Sequence, residues 1–177
     1  GVYYFDEHNK ADWADVIGLG VPVNTTPNAI VSEDRILTNT AQAWAAYTQW
    51  DITLADRWTV TAGGRYTDEE KNISFIANVN PRVTSARITT ASIAAAGIPL
   101  SLSTRLFTPR VALKYDINDD INVFASATRG FKSGGWNARA TIPSLALPFA
   151  PEKVWSYELG LRSDLFDRKL RLNLTAF

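Results

Sequence analysis

The chain has 177 residues, with 18 basic and 18 acidic side chains, no cysteine and a single histidine, His8. Balanced charge gives no field to draw in nucleic acid. The lack of thiols excludes disulfides and Cys-ligated metals, and one imidazole removes most histidine-based catalysis.

No apolar stretch is long enough for a membrane-spanning helix; SIAAAGIPLSL at 92–102 comes nearest. No leader sequence stands at Gly1, and the strand-like GVYYFDE begins at once, which predicts an internal piece of something longer. A polar connection over about residues 7–41 follows. Then comes the clearest pattern of the chain, AWAAYTQWDITLADRWTVTAGGRYTDEEK at 43–71. Even positions from Trp44 to Leu54 are mostly apolar and odd positions mostly polar, the period of a strand with unlike faces. Ala55-Asp56-Arg57 suits a tight turn. Alternation then resumes, with Trp58, Val60, Ala62, Gly64 and Tyr66 set against Thr59, Thr61, Gly63 and Arg65.

A second long connection is predicted over 68–106. Residues 107–115 then set Phe107, Val111, Leu113 and Tyr115 against Arg110 and Lys114, Asn118-Asp119-Asp120 turns, and INVFASAT continues. Phe124 in that strand falls among Asn122 and Ser126, on the polar side, and periodicity offers no reason for it.

VFASATRGFKSGGWN at 123–137 carries Arg129, Gly130, Lys132, Gly134, Gly135 and an exposed-looking Trp136. The phosphate-binding pattern G-x-x-x-x-G-K-[ST] is not met, because Lys132 precedes the paired glycines and no helix follows. The stretch reads as a rim where a strand bends into a third long connection, over 130–152. Residues 153–165 and 170–177, joined at Asp167-Arg168, complete seven predicted strands with no helix between them.

Tight turns near 56, 119 and 167 alternate with three long connections, which in a meander all leave one edge. A soluble antiparallel sandwich shares the period. Three features favour an up-and-down transmembrane barrel instead. The strands, at 9–13 residues, are long enough to cross a bilayer at a tilt. Aromatics stand at both strand ends, with Trp58, Tyr115 and Phe166 near the turns and Trp44, Phe107 and Trp155 toward the loops. In-strand charges fall opposite the apolar set, as a wet lumen permits.

TVTAGGRYTDEEK, FTPRVALKYDINDDINVFASATRGFKSGGWN and PEKVWSYELGLRSDLFDRKLRLNLTAF, taken in order over about 130 residues, resemble the barrel of TonB-dependent outer-membrane receptors. The resemblance implies an all-β, antiparallel barrel of about 22 strands, of which residues 1–177 hold about seven as an open curved sheet. It also implies a multi-pass protein of a Gram-negative outer membrane, in contact with lipid and with its own plug domain. The imported ligand would be scarce, foremost a ferric siderophore, with haem, cobalamin or saccharides as other family ligands; energy would arrive through the TonB–ExbB–ExbD complex. The plug, the TonB box and the last barrel strand have no counterpart here, so the expected domain is a partial barrel.

Candidate ligand contacts are Arg65, Arg110, Lys114, Glu158 and Arg162 in the lumen, and Arg129, Lys132, Trp136 and Arg139 in the outer loops. Cations there suit anionic chelates. Trp136 could stack on a ligand or anchor at the interface. The bland alternative for each is a hydrated wall with cross-strand charge pairs. No cofactor, metal site, nucleic-acid partner or catalytic residue is expected. The rival functions are a passive porin, told apart by the absence of a plug, an outer-membrane enzyme, and a soluble sandwich lectin, told apart by solubility without detergent.

Overall fold

The computed structural model describes residues 1–17, 30–79 and 87–177. Seven strands form one antiparallel sheet in strict chain order: β1 (Val2–Ile17), β2 (Ile30–Leu54), β3 (Trp58–Ala77), β4 (Ser101–Asn118), β5 (Ile121–Lys132), β8 (Glu152–Leu165) and β9 (Leu170–Ala176). The short strands β6 (Gly135–Trp136) and β7 (Pro148–Phe149) pair with each other inside the β5–β8 connection. The sheet is open, with β1 and β9 as its edges. No helix among the described residues is long and apolar enough to cross a membrane.

The strand count and the meander stand as expected from periodicity, but several boundaries do not, among them the start of β4, at Ser101 and not at 107. β1 runs to Ile17, β2 starts at Ile30, and β3 continues to Ala77, so strand replaces much of what reads as loop over 7–41 and 68–106. A six-residue helix, α1 (Thr90–Ala95), also interrupts the β3–β4 connection; Thr89 and Ser92 form a reciprocal capping box at its start. β5 continues through Gly130, where an added Cβ would meet nothing, so Gly130 is not a bend.

The three tight turns share one end of the sheet. The Asp116 N–H donates to Arg57 O at 2.8 Å and the Asp164 N–H to Asp120 O at 2.8 Å, which ties each turn to its neighbour. Ala55 and Asp56 take positive φ, as do Phe166, Asp167 and Arg168, a conformation that costs a Cβ-bearing residue roughly 1–2 kcal/mol. Ala55→Gly is therefore expected to stabilise the folded barrel by about 0.5–1 kcal/mol, read as a higher midpoint in denaturant titrations in lipid.

Register puts unlike residues on two faces. On the outer face Trp50 pairs with Ala62 and Ala62 with Val111, while Leu113 meets Ala125, Ala125 meets Leu159, and Leu161 meets Leu174. Most of these large apolar side chains are exposed, Leu159 to 64% and Trp50 to 66%. The inner face carries Asp51, bonded by the Thr61 hydroxyl at 2.6 Å, and the Arg171–Asp164 fork, whose bonds measure 2.6 and 2.9 Å.

Phe124 now has a reason. It sits on the inner face directly opposite Gly160, and its ring occupies the place a Cβ at Gly160 would need. The glycine leaves a bare backbone strip, and the ring covers it.

Candidate functional site

Two aromatic rows bound the outer apolar face. Toward the turns, Trp58 and Tyr115 are register partners with ring centroids 4.4 Å apart. Toward the loops stand Tyr4, Trp44, Tyr66, Phe107, Trp155 and Tyr157; Trp44 and Tyr66 lie 5.7 Å apart. Trp58 to Tyr66 is eight residues of β3, about 26 Å along the strand at roughly 3.3 Å per residue. That matches an apolar band flanked by interfacial rings. Phe166, the remaining predicted interface aromatic, is exposed in the β8–β9 turn.

Beyond the loop-side row the faces exchange character without a bulge in the β2–β3 ladder. Outer positions become Asp6, His8, Lys10 and Asp12 on β1, Thr38, Thr40 and Gln42 on β2, and Asp68, Glu70 and Asn72 on β3. Inner positions become Leu37, Ala41, Ala43 and Ala45 on β2 with Ile73 and Phe75 on β3. The alanines are buried. On β2 and β3 the register pair Ile36 and Ile76 breaks the polar outer pattern of this stretch. Such an inversion is what strands need when lipid gives way to water on one side and packed protein appears on the other.

That packed protein is made of loops. Residues 87–100 and 133–151 lie over the inner face and share a core of Ile73, Phe75, Ile88, Ile93, Ile98, Trp136, Ala140 and Ala146. Four polar ties fix the second loop. The Trp136 indole N–H donates to Pro99 O at 2.7 Å, and the Arg35 guanidinium to Ala138 O at 2.8 Å. Lys71 Nζ donates to Gly134 O at 3.1 Å and the Ser133 hydroxyl to Glu69 at 2.9 Å. Arg35 is fully buried, with its guanidinium carbon 5.2 Å from the Trp13 ring centroid and 5.4 Å from that of Phe75. Gly134 allows close approach here, since its added Cβ would lie 2.6 Å from Phe149 O. Gly134→Ala is expected to push the β6–β7 hairpin off the sheet at a cost of about 1–3 kcal/mol, seen as red-shifted emission from Trp136.

The predicted site residues are spread over this frame. Arg65 lies on the inner face, 4.9 Å from the Tyr3 ring centroid, with Nε donating to Thr67 at 3.1 Å. Arg110 and Glu158 are exposed on the inner face, opposite Thr128 and Ser126 respectively. Lys114 pairs with Asp116 at 2.8 Å, and Arg162 lies 5.1 Å from the Phe124 ring centroid. These five form no single cluster. Arg129 is the register partner of Trp155 and stands on the outer face, at the loop-side aromatic row. Lys132 ends β5 on the inner face, and Arg139 is exposed in the loop. Trp136 departs from its exposed reading: at 8% exposure it is a pillar of the loop core, with its N–H committed to Pro99 O.

Arg35, Asn39, Glu69, Lys71 and Ser133 escape the sequence reading. All but Ser133 lie on strand that reads as loop, and Ser133 lies in the connection itself. No group of three or more His, Asp or Glu side chains among the described residues is arranged to hold a metal.

A family model described as "TonB dependent receptor-like, beta-barrel" matches residues 1–177. The chain is 27% identical over 163 residues to the metal-pseudopaline receptor CntO of Pseudomonas aeruginosa, covering 91% of this chain and 20% of that one. It is 25% identical over 134 residues to the pesticin receptor of Yersinia pestis, covering 75% of this chain and 18% of that one. The chain thus spans about a fifth of the length of these curated relatives. In structure it is similar to the ferric yersiniabactin uptake receptor FyuA from Yersinia pestis, with a TM-score of 0.70 at 21% identity over 92% of this chain and 22% of the other. The alcaligin outer-membrane receptor FauA from Bordetella pertussis follows at 0.52 and 19% identity, over 98% and 28%. These relatives are all named as receptors. With the match running from the first residue to the last, this chain belongs to the TonB-dependent receptor β-barrel family.

Proposed function

We propose that residues 1–177 are part of the barrel wall of a receptor in a Gram-negative outer membrane, one that imports a ferric siderophore or similar metal chelate by energy-coupled transport. The observation that carries this reading is the outer apolar band held between two aromatic rows, with the charged side chains between those rows confined to the inner face. Relatives named for metal–pseudopaline and ferric yersiniabactin support the ligand class. On this reading the turns face the periplasm and the loop layer faces outward. The edges β1 and β9 pair with further barrel strands, a plug domain fills the lumen, and TonB–ExbB–ExbD supplies the energy.

The test is uptake of radiolabelled iron by iron-starved cells, with and without the intact gene and with and without TonB. Uptake that needs both is the expected result. Gene-dependent entry that persists without TonB would mean a passive porin instead.

A further inference from the structure

A cavity of about 420 Å³ lies between the inner face of β2 and β3 and the 133–149 hairpin. That is the size of a small-molecule site. Ile73, Trp136 and Phe149 give it an apolar side; Lys71, Lys132 and Asn39 supply its polar side.

The charges inside do not cancel. Lys71 Nζ lies 3.3 Å from Glu69 and also donates to Gly134 O, so it is committed to holding the loop. Lys132 has no hydrogen bond or ion pair among the described residues, not even with its register partner Glu152. One cation is therefore left over, and it suits one anionic group. Asn39 Oδ1 is buried and has no hydrogen-bond partner among the described residues. A buried carbonyl oxygen of this kind calls for a donor.

From these three features we propose that the cavity binds an α-hydroxy carboxylate with an apolar body. The carboxylate would meet Lys132, the neighbouring hydroxyl would donate to Asn39, and the hydrocarbon would lie against Trp136 and Phe149. The proposal rests on the import reading, and names the acid arm of the imported ligand as the part this wall recognises.

The experiment uses the intact receptor in detergent, titrated calorimetrically with 3-phenyllactate, its amide, and 3-phenylpropanoate, which lacks the hydroxyl. The acid is expected to bind about tenfold tighter than the amide, a difference of roughly 1.4 kcal/mol. Lys132→Gln should abolish that preference, and Lys132→Arg should keep it. Asn39→Ala should erase the preference for phenyllactate over phenylpropanoate and leave the acid-over-amide preference in place. Lys10→Gln, on the outer face of β1, should change neither. No binding of the acid, equal binding of acid and amide, or a preference that survives Lys132→Gln would each overturn the proposal. Loss of the preference with TonB-dependent uptake intact strikes this site alone, whereas TonB-independent uptake with the preference intact strikes the import reading alone.

Discussion

Leu159→Arg in the intact receptor is expected to cost roughly 2–4 kcal/mol near the bilayer midplane and to cut the yield of folded barrel sharply. Leu159 is an outer-face residue of β8, 64% exposed, paired with Ala125 on one side and Ala176 on the other. Its alanine neighbours give an arginine no acceptor, and its position between the aromatic rows leaves a long reach to either interface. Ser156→Arg, three residues away in the same strand, is the matched control. Ser156 faces inward opposite Thr128, where a cation stays hydrated, so assembly should fall little. Folding yield in lipid vesicles, scored by the heat-dependent gel shift of folded barrels, separates the two. A lower yield for Ser156→Arg would mean that the faces are assigned the wrong way round, and equal yields would mean that the two faces do not differ in their surroundings.

Arg35→Leu should act on the loops and spare the barrel. The guanidinium is fully buried between Trp13 and Phe75 and is hydrogen-bonded to Ala138 O. Its loss removes a charge-assisted hydrogen bond worth about 1.5–3 kcal/mol and cation–π contacts worth about 1–2 kcal/mol. Leucine fills only part of the space. The expected result is faster hydrogen exchange and protease cleavage across residues 137–147, with normal assembly yield and an unchanged global unfolding midpoint. A drop in assembly yield would show instead that the loop layer is needed to form the wall.

The turn-side half of this wall was legible because a single rule governs it. From Trp44 to Leu54 and from Trp58 to Tyr66, apolar residues keep one parity, and the tight turns announce themselves by residue type. Above Trp44 that rule reverses. Leu37, Ala41 and Ala43 take the odd positions and Thr38, Thr40 and Gln42 the even ones, and in β3 Ile73 and Phe75 replace the even-numbered set. Period two continues, but an apolar set that changes sides looks like the end of a strand. Residues 7–17, 30–41 and 68–77 therefore read as connection.

The site suffered from the same reversal. Asn39, Lys71 and Arg35 sit on the reversed portion, and their neighbours come from residues 133–149, far away in sequence. Trp136 beside two glycines looks like a loop tip; only the approach of Pro99 and Ile93 makes it a core residue. Phe124 likewise needs Gly160, thirty-six positions on, before its place makes sense.

The reversal at Trp44 also constrains how the length of this wall can change. Deleting one residue just above the aromatic row would turn every side chain above it through the sheet. The buried Ala41 would meet water, and Asn72 and Ser74 would meet the loop core. Deleting two would shorten the wall and keep both halves correctly dressed. Among chains built this way, viable gains and losses in the paired arms above the water line should come in even numbers, and a screen of one- and two-residue deletions at positions 42–43 with matching deletions at 69–70 would reveal that arithmetic directly.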